Sequence, residues 1–177
     1  MTSRTPGERA RRRARMVTIL TLAALAGYGI VGYLTLPSRP ATHFGLDGTP
    51  DGWMGRGGFL AFTAVLVVGL NLLLPALLRL GPSALNVPHK AWWLETAARR
   101  EEMLRRGGVL MDLTLAYMNL VFVIATHAVL QRNGAPVPIQ LPGQMDLLLI
   151  LLGTVVYVVG LLRYSKRLFA PEADAGP

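Results

Sequence analysis

One histidine and two aspartates lie close together after the first apolar stretch of the chain: His43, Asp47 and Asp51. Imidazole and carboxylate groups are ligands of divalent metals. The spacing matches no established metal-binding motif. Each aspartate precedes a glycine, Gly48 or Gly52, where aspartate side chains often bond their own backbone in turns. The segment therefore allows two interpretations, a divalent-metal site or a pair of turns without a cofactor.

Long uncharged runs predict the elements that hold these residues. Of the 177 residues, 52% are hydrophobic and 16% are charged. A helix of about 20 apolar residues crosses the hydrocarbon core of a bilayer. Four runs predict an all-α integral membrane protein, a four-helix bundle with spans at about 16–36, 59–78, 109–130 and 145–162. The chain has no cysteine, which excludes disulfides, thiolate metal sites and thiol catalysis.

Basic residues flank the spans and predict their direction. Six arginines precede span one, six Lys or Arg separate spans two and three, and three follow span four, against three in the other two loops. Because basic residues stay on the cytoplasmic side, both termini are predicted to be cytoplasmic, with loops 37–57 and 131–142 outside. The net charge of +8 then reflects topology and contact with anionic lipids, not nucleic-acid binding.

The predicted division of the chain has three parts. They are a basic cytoplasmic tail at 1–15, a four-span membrane domain at 16–168 and a disordered cytoplasmic tail at 169–177. The tail up to about Arg13 is also expected to be disordered, because it is polar and lacks apolar periodicity.

The outer loop 37–57 is expected to fold back on itself, since it holds two closely spaced turn signals. Phe44 and Trp53 would form its apolar underside. His127 lies about one turn from the outer end of span three, on the same side of the membrane as His43. It either joins a shared metal site or forms a hydrogen bond across helices. The ligand-binding candidates of this face are His43, Phe44, Asp47, Asp51, Trp53, Arg56 and His127, and the metal-ligand candidates are His43, Asp47, Asp51 and His127.

The inner segment 81–106 is predicted to be an interfacial helix between spans two and three. Pro88 favours a first helical turn and Asn86 is a suitable cap. Trp92 and Trp93 are expected at headgroup depth. The pair Gly107-Gly108, just after this segment, is expected to introduce a bend.

Three polar residues interrupt the spans: Asn71, Asp112 and Asn119. Polar groups are costly in hydrocarbon, so these residues are either functional or hydrogen-bonded between helices. Asn71 precedes a proline by four residues and is expected to satisfy a carbonyl that the proline frees. Asp112, near the inner end of span three, is expected either to pair with Lys90 or Arg79 or to be a protonated carboxyl.

Two patterns resemble a known family. They are Leu36-Pro37, Pro40, His43-Phe44-Gly45, Gly48 and Pro50-Asp51-Gly52-Trp53 in the outer loop, and Asn86, Pro88, Lys90 and Trp93 in the inner segment. They resemble a bacterial membrane domain of unknown function that also forms the N-terminal part of SdpI-type immunity proteins, over about 16–106. The resemblance implies a multi-pass protein of the bacterial plasma membrane. It further implies protection against a secreted toxic peptide and tethering of a cytoplasmic repressor.

Several functions stay open. The leading hypothesis is a non-enzymatic immunity or signalling protein whose outer loop recognises an extracellular peptide or lipid and whose inner face meets a cytoplasmic partner. A metal-dependent membrane enzyme with an outer His/Asp site is the first alternative. A small transporter or a subunit of a membrane complex, including a homo-oligomer, is the second. No H-E-x-x-H, G-x-S-x-G or Walker motif is present, which favours a role without catalysis.

Overall fold

The computed structural model describes residues 6–171. Its helices are α1 (Pro6–Thr35), α2 (Arg56–Leu77), α3 (Lys90–Leu94), α4 (Ala97–Arg132) and α5 (Met145–Leu168), and its strands are β1 (Ala41–Phe44) and β2 (Pro50–Trp53). Helices α1, α2, α4 and α5 are long and apolar enough to cross a bilayer. The prediction of an all-α, four-span membrane protein is confirmed.

The outward surface of the bundle is apolar. Val65 on α2 keeps 69% of its surface exposed, and Val156 on α5 keeps 71%. Helix α2 and helix α5 each bury few of their side chains against the rest of the protein. A continuous apolar surface of this kind is covered by lipid in a membrane protein.

Helix α4 is the central element of the bundle. It contacts α1, α2, α3, α5 and β1, and its interface with α1 is the most extensive between helices. Its first turn is capped by Thr96, whose hydroxyl accepts the amide proton of Arg99 at 3.2 Å. Its 36 residues extend about 54 Å at the rise of an α-helix. The helix is therefore longer than a bilayer core, and other elements pack against both of its ends.

The two ends of the bundle contain different elements, and each end is named here for them. The hairpin end holds β1 and β2 together with the last turn of α4. The basic end holds the first turns of α1, helix α3, the first turns of α4 and the last turn of α5.

The glycine pair predicted to bend span three does not break the helix. Helix α4 is continuous through Gly107 and Gly108. A Cβ at Gly107 would lie 3.0 Å from Leu85 Cδ1, and one at Gly108 would lie 3.4 Å from Arg11 Nη2. The glycines thus let the segment after α2 and the first part of α1 approach the α4 backbone closely.

Span one is preceded by ordered helix. Helix α1 begins at Pro6, so residues 6–13 are helical where a disordered tail was expected. Arg11 and Arg15 reach Asp112 of α4, with N–O distances of 2.7 and 3.2 Å. The predicted partners of Asp112 are therefore wrong. The arginines of α1 lie opposite it because α1 and α4 pack side by side, a pairing that the sequence does not encode locally.

Residues predicted for the end of the chain also differ in part. Phe169, at the start of the predicted disordered tail, is fully buried at the basic end. Residues 1–5 and 172–177 of the two predicted tails lie outside the described residues.

Asn71 and Asn119 join α2 to α4 inside the membrane. Their side-chain amides exchange two hydrogen bonds of 2.9 and 3.1 Å. Asn71 also donates to the carbonyl of Val67. Pro75 frees the carbonyl four residues earlier, which belongs to Asn71 itself, so the expected bond to a proline-freed carbonyl is wrong. The predicted role in interhelical hydrogen bonding is confirmed.

Replacement of Gly107 by leucine tests the close approach at α4. Gly107→Leu is expected to lower the free energy of unfolding by about 1–3 kcal/mol, because the new side chain overlaps Leu85 and Leu78. Gly153→Leu in α5 is the matched control, since a Cβ there meets nothing within 4 Å. Thermal unfolding in detergent measures both variants. Equal stability of the two would contradict the packing described.

Candidate functional site

A β-hairpin forms from the loop between α1 and α2. β1 and β2 pair antiparallel, with His43 opposite Gly52 and Phe44 opposite Pro50. The turn between them depends on Gly48, which has a φ of +83°, a conformation that glycine adopts without strain. The prediction that this loop folds back on itself is confirmed, although the two strands themselves were not predicted.

The interpretation of Asp47 as a turn former matches its contacts. Its carboxylate accepts hydrogen bonds from the Thr49 hydroxyl at 2.7 Å and the Thr49 amide at 3.1 Å. The hydroxyl bond, followed by the amide bond, lowers the pKa of Asp47 below its ordinary value, because both favour the charged form. Asp47 thus serves the turn that reverses the chain.

His43 and Asp51 form a pair on the open face of the hairpin. His43 Nδ1 lies 2.5 Å from Asp51 Oδ1, and the two side chains are 75% and 51% exposed. Gly52 makes this arrangement possible, because a Cβ at that position would lie 2.8 Å from the Cβ of His43. The pair is therefore accessible to a ligand outside the bundle.

The predicted four-residue metal site is not assembled. Asp47 bonds Thr49, and His127 is buried and bonds Tyr28 and Gln131, whereas His43 pairs with Asp51. Among residues 6–171, no three His, Cys, Asp or Glu side chains are grouped so that they could hold a metal ion.

His127 forms the hydrogen bond across helices that was the alternative. Its Nδ1 lies 2.9 Å from the Tyr28 hydroxyl of α1, and its Nε2 lies 3.2 Å from Gln131 Oε1. Gln131 Oε1 also accepts the Leu141 amide, while Gln131 Nε2 donates to the Leu141 carbonyl. Since Oε1 only accepts, neutral His127 carries its proton on Nε2 and accepts from Tyr28. His127 thus connects α1 to the loop that leads into α5.

Asn133 fixes the hairpin to the end of α4. Its Oδ1 accepts the Ala41 amide at 2.9 Å, and its Nδ2 donates to the Ala41 carbonyl at 2.8 Å. The same Nδ2 donates to Val129 in the last turn of α4. The Asn133 side chain thus forms hydrogen bonds with Ala41 that a neighbouring strand would otherwise form with β1. Sequence reasoning missed Asn133, because an Asn-Gly pair after a helix also predicts an ordinary helix end.

A cleft of about 320 Å³ lies between the hairpin and the adjacent ends of α4 and α5, and is called the hairpin cleft here. Its floor is apolar, and His43, Arg132, Gln144 and Asp146 supply the polar part of its lining. The lining residues are Thr42, His43, Phe44, Gly45, Ala125, Ala128, Val129, Arg132, Gln144, Asp146, Leu147 and Ile150.

An ion pair holds one wall of the hairpin cleft. Arg132 Nη2 lies 2.7 Å from Asp146 Oδ1, and Asp146 is only 9% exposed. The guanidinium of Arg132 also lies 4.8 Å from the centroid of the Phe44 ring. Gln144 donates to the carbonyl of Leu46 in the hairpin turn. The hairpin, α4 and α5 are thus joined around the cleft by polar contacts.

The remaining candidates of the outer face lie at the edges of the hairpin. Trp53 is 52% exposed. Arg56, at the first turn of α2, donates to the carbonyl of Leu36 at 3.0 Å and lies over the Tyr33 ring. Phe44 packs against the cluster formed by Leu36, Phe59 and their neighbours. Phe44 therefore confirms the expected apolar underside, whereas Trp53 does not bury its ring.

The inner motif lies at the basic end and differs from the predicted interfacial helix. Residues 81–106 form a short 3₁₀ turn, the five-residue helix α3 and the start of α4. The residue before α3 is His89, with a left-handed φ of 56°, so the predicted cap Asn86 and its helix start at Pro88 are wrong. Lys90 donates to the Ser83 carbonyl at 2.6 Å, which closes the turn before α3.

Trp93 is buried inside the protein, and its expected headgroup depth stays a prediction. It is 1% exposed, and its indole N–H donates to the Phe169 carbonyl at 3.1 Å. Its ring meets Phe169 edge to face at 5.9 Å, and the guanidinium of Arg106 lies 4.9 Å from its centroid. Trp93 therefore attaches the end of α5 to the start of α4, a structural role.

Comparison with known families supports part of the resemblance. Residues 20–67 match the model of a domain of unknown function, DUF1648. The matched segment contains the hairpin with His43 and Asp51, whereas the inner motif lies outside it. No curated protein and no solved structure matches the chain. The chain is thus a multi-span membrane protein that contains a DUF1648 match.

Removal of the Asn133 side chain tests the attachment of the hairpin. Asn133→Ala is expected to cost about 1–3 kcal/mol, because the amide and carbonyl of Ala41 lose their partner. Hydrogen exchange of the segment 40–54 should accelerate by about fivefold to about 140-fold, following 1.4 kcal/mol per tenfold. Asn86→Ala, an exposed asparagine at the basic end, is the control. Unchanged exchange in Asn133→Ala would show that the hairpin is held by other contacts.

Truncation of Trp93 tests the structural role of the inner motif. Trp93→Ala is expected to lower stability by about 3–5 kcal/mol through the cavity it leaves. Trp93→Phe keeps one aromatic ring but removes the bond to the Phe169 carbonyl and part of the indole volume, so a smaller loss of about 1–3 kcal/mol is expected. Chemical denaturation of the purified protein distinguishes these values. A small effect of Trp93→Ala would instead favour a ligand-facing role for this side chain.

Proposed function

We propose that the protein is a non-catalytic binding protein of the bacterial plasma membrane, of the SdpI-like immunity or signalling type, which recognises an extracellular peptide at its hairpin end. The observation that carries this proposal is the hairpin cleft, which combines an apolar floor with a rim of charged and hydrogen-bonding side chains. Sites that bind amphipathic ligands have this composition. The His43–Asp51 pair stands exposed at the edge of the cleft.

The proposed orientation places the hairpin outside the cell. Fifteen of the 18 Lys and Arg residues lie in the segments 1–15, 79–106 and 163–167. The positive-inside rule assigns these segments to the cytoplasm. A peptide secreted into the medium would then meet the hairpin end of the protein.

Exposed side chains beside the cleft extend the proposed contact surface. Leu46 at the hairpin turn is 86% exposed and Trp53 is 52% exposed. An amphipathic peptide lying at the membrane interface could bury these side chains while its polar groups meet His43 and Asp51. The ion pair between Arg132 and Asp146 keeps the cleft nearly neutral, so the surface is suited to recognition by shape and hydrogen bonds more than by net charge.

The resemblance to SdpI-type immunity proteins supports the same proposal from a different direction. The DUF1648 match covers the hairpin. At the basic end, exposed arginines such as Arg12, Arg13 and Arg100 offer a surface for an acidic cytoplasmic partner, in line with the proposed signalling role.

Two alternatives receive no support from particular contacts. An outer metal enzyme would need His127 beside His43, and His127 instead bonds Tyr28. A transporter path would need Asn71, Asp112 and Asn119 to line a cavity. The amides of Asn71 and Asn119 bond each other, Asp112 pairs with arginines, and the hairpin cleft includes none of the three.

A protection assay tests the proposal. Cells of the source strain that lack the gene are challenged with the peptide fraction of their own culture medium and complemented with variants of the full chain. Wild type and His89→Asn, a control at the basic end, are expected to restore growth. Growth of cells that carry the double variant His43→Ala/Asp51→Ala should be inhibited at a peptide concentration at least about tenfold lower than for the wild type. The reason is that the variant removes two exposed contacts without disturbing the core.

Membrane levels of each variant are measured by immunoblot in the same cells. Full protection by the double variant at wild-type levels would contradict recognition through the hairpin. Equal sensitivity of the gene-deletion strain and the wild type would contradict the immunity role itself.

A further inference from the structure

A second groove lies between α1 and α2, at membrane depth and separate from the hairpin cleft. Its volume is about 300 Å³, and its lining includes Leu25 and Gly29 of α1 and Leu60, Ala64 and Val67 of α2. Only two threonines interrupt its apolar lining. An apolar space of this kind offers water few partners. In a bilayer it faces the lipid, because α1 and α2 both belong to the outer surface of the bundle.

The small residues of the groove leave it open. A Cβ at Gly29 would meet nothing within 4 Å, so that part of the wall is unfilled. Thr126 of α4 forms part of the floor. A neighbouring helix, about 10–12 Å wide, would pack across such a groove and would not fill it. A single acyl chain has a suitable width and is present at high concentration at this depth.

The cationic side chain of Arg56 lies beyond the groove, on its hairpin side. On α1, Leu25, Gly29 and Tyr33 recur at intervals of four residues, and on α2, Arg56 and Leu60 are four apart, so each set shares one helix face. The groove faces of both helices therefore lead to Tyr33 and Arg56, whose guanidinium lies 5.3 Å from the Tyr33 ring centroid.

Most N–H donors of the Arg56 guanidinium are available to a ligand. Within the described residues it makes one hydrogen bond, from Nη1 to the Leu36 carbonyl at 3.0 Å. Arginine carries five N–H donors in a planar arrangement that fits phosphate oxygens. Arg56 also belongs to the first turn of α2, at the level where the apolar run of span two begins and a headgroup is expected.

We propose that this surface is a phospholipid-binding site. One acyl chain occupies the groove between α1 and α2, and the phosphate of the same lipid accepts hydrogen bonds from Arg56, with Tyr33 beside it. The lipid belongs to the leaflet on the hairpin side. Bound there, it fills the space between the two helices that the DUF1648 match spans and connects the start of α2 to the bilayer. This proposal does not depend on the function proposed for the hairpin cleft.

Native mass spectrometry of the full chain, purified in detergent with added phosphatidylglycerol, tests the site. The wild type is expected to retain one lipid. Gly29→Leu fills the groove and should weaken retention at least about tenfold. Gly27→Leu is the matched control, because Gly27 lies two residues away, outside the groove lining, and its Cβ also meets open space. It should retain lipid like the wild type.

A second pair of variants tests the headgroup contact without altering the groove. Arg56→Gln is expected to weaken retention about tenfold through the loss of charge-assisted hydrogen bonds, whereas Arg39→Gln, another arginine of the hairpin end, should have no effect. Retention of lipid by both Gly29→Leu and Arg56→Gln would overturn the proposal. Equal loss in Gly27→Leu, or a changed oligomeric mass in Gly29→Leu without loss of lipid, would also overturn it.

Discussion

The packing of the other elements on α4 is the interaction on which the structure depends. Helix α4 continues through two glycines and extends beyond the bilayer core, so one rigid element reaches both ends of the bundle. At one end it receives Arg11 and Arg15 on Asp112 and the segment around Leu85 on Gly107. At the other end its last turn holds the hairpin through Asn133. Helices α2 and α5 bury little surface elsewhere.

This arrangement gives the two ends different characters. The basic end is closed by an aromatic cluster in which Trp93, Met103 and Phe169 are almost fully buried. The hairpin end stays open, because the short strands cover only part of the space between α4 and α5 and leave the hairpin cleft. The ligand binding that we propose is therefore assigned to the open hairpin end.

Features that depend on local composition could be predicted from the sequence. The four spans follow from apolar runs, and the turn at Asp47-Gly48 follows from the conformational freedom of glycine. The interhelical bonding of Asn71 and Asn119 follows from the cost of unpaired polar groups in lipid. The helical first turns of α1 were missed, because a polar segment without periodicity gives no sign of the tertiary partner, Asp112, that stabilises it.

Features that depend on partners distant in sequence could not be predicted. The bonds between Asn133 and Ala41 join residues 92 positions apart, and the burial of Trp93 requires Phe169 from the far end of α5. The candidate site was predicted in part. His43 and Asp51 do lie together, but Asp47 serves a turn and His127 serves helix packing. Residue type alone does not distinguish a ligand-facing polar group from a hydrogen-bonded structural one.

We propose that the hairpin and the basic end lie on opposite sides of the membrane, with the hairpin outside, and this orientation is central to the proposed function. The chain has no cysteine, so single cysteines can be introduced at Leu46, which is 86% exposed on the hairpin, and at Ala98, which is exposed near the start of α4. Intact cells are treated with a membrane-impermeant maleimide. The account predicts labelling of Leu46→Cys in intact cells and of Ala98→Cys only after permeabilisation. Labelling of both in intact cells, or the reverse pattern, would contradict it.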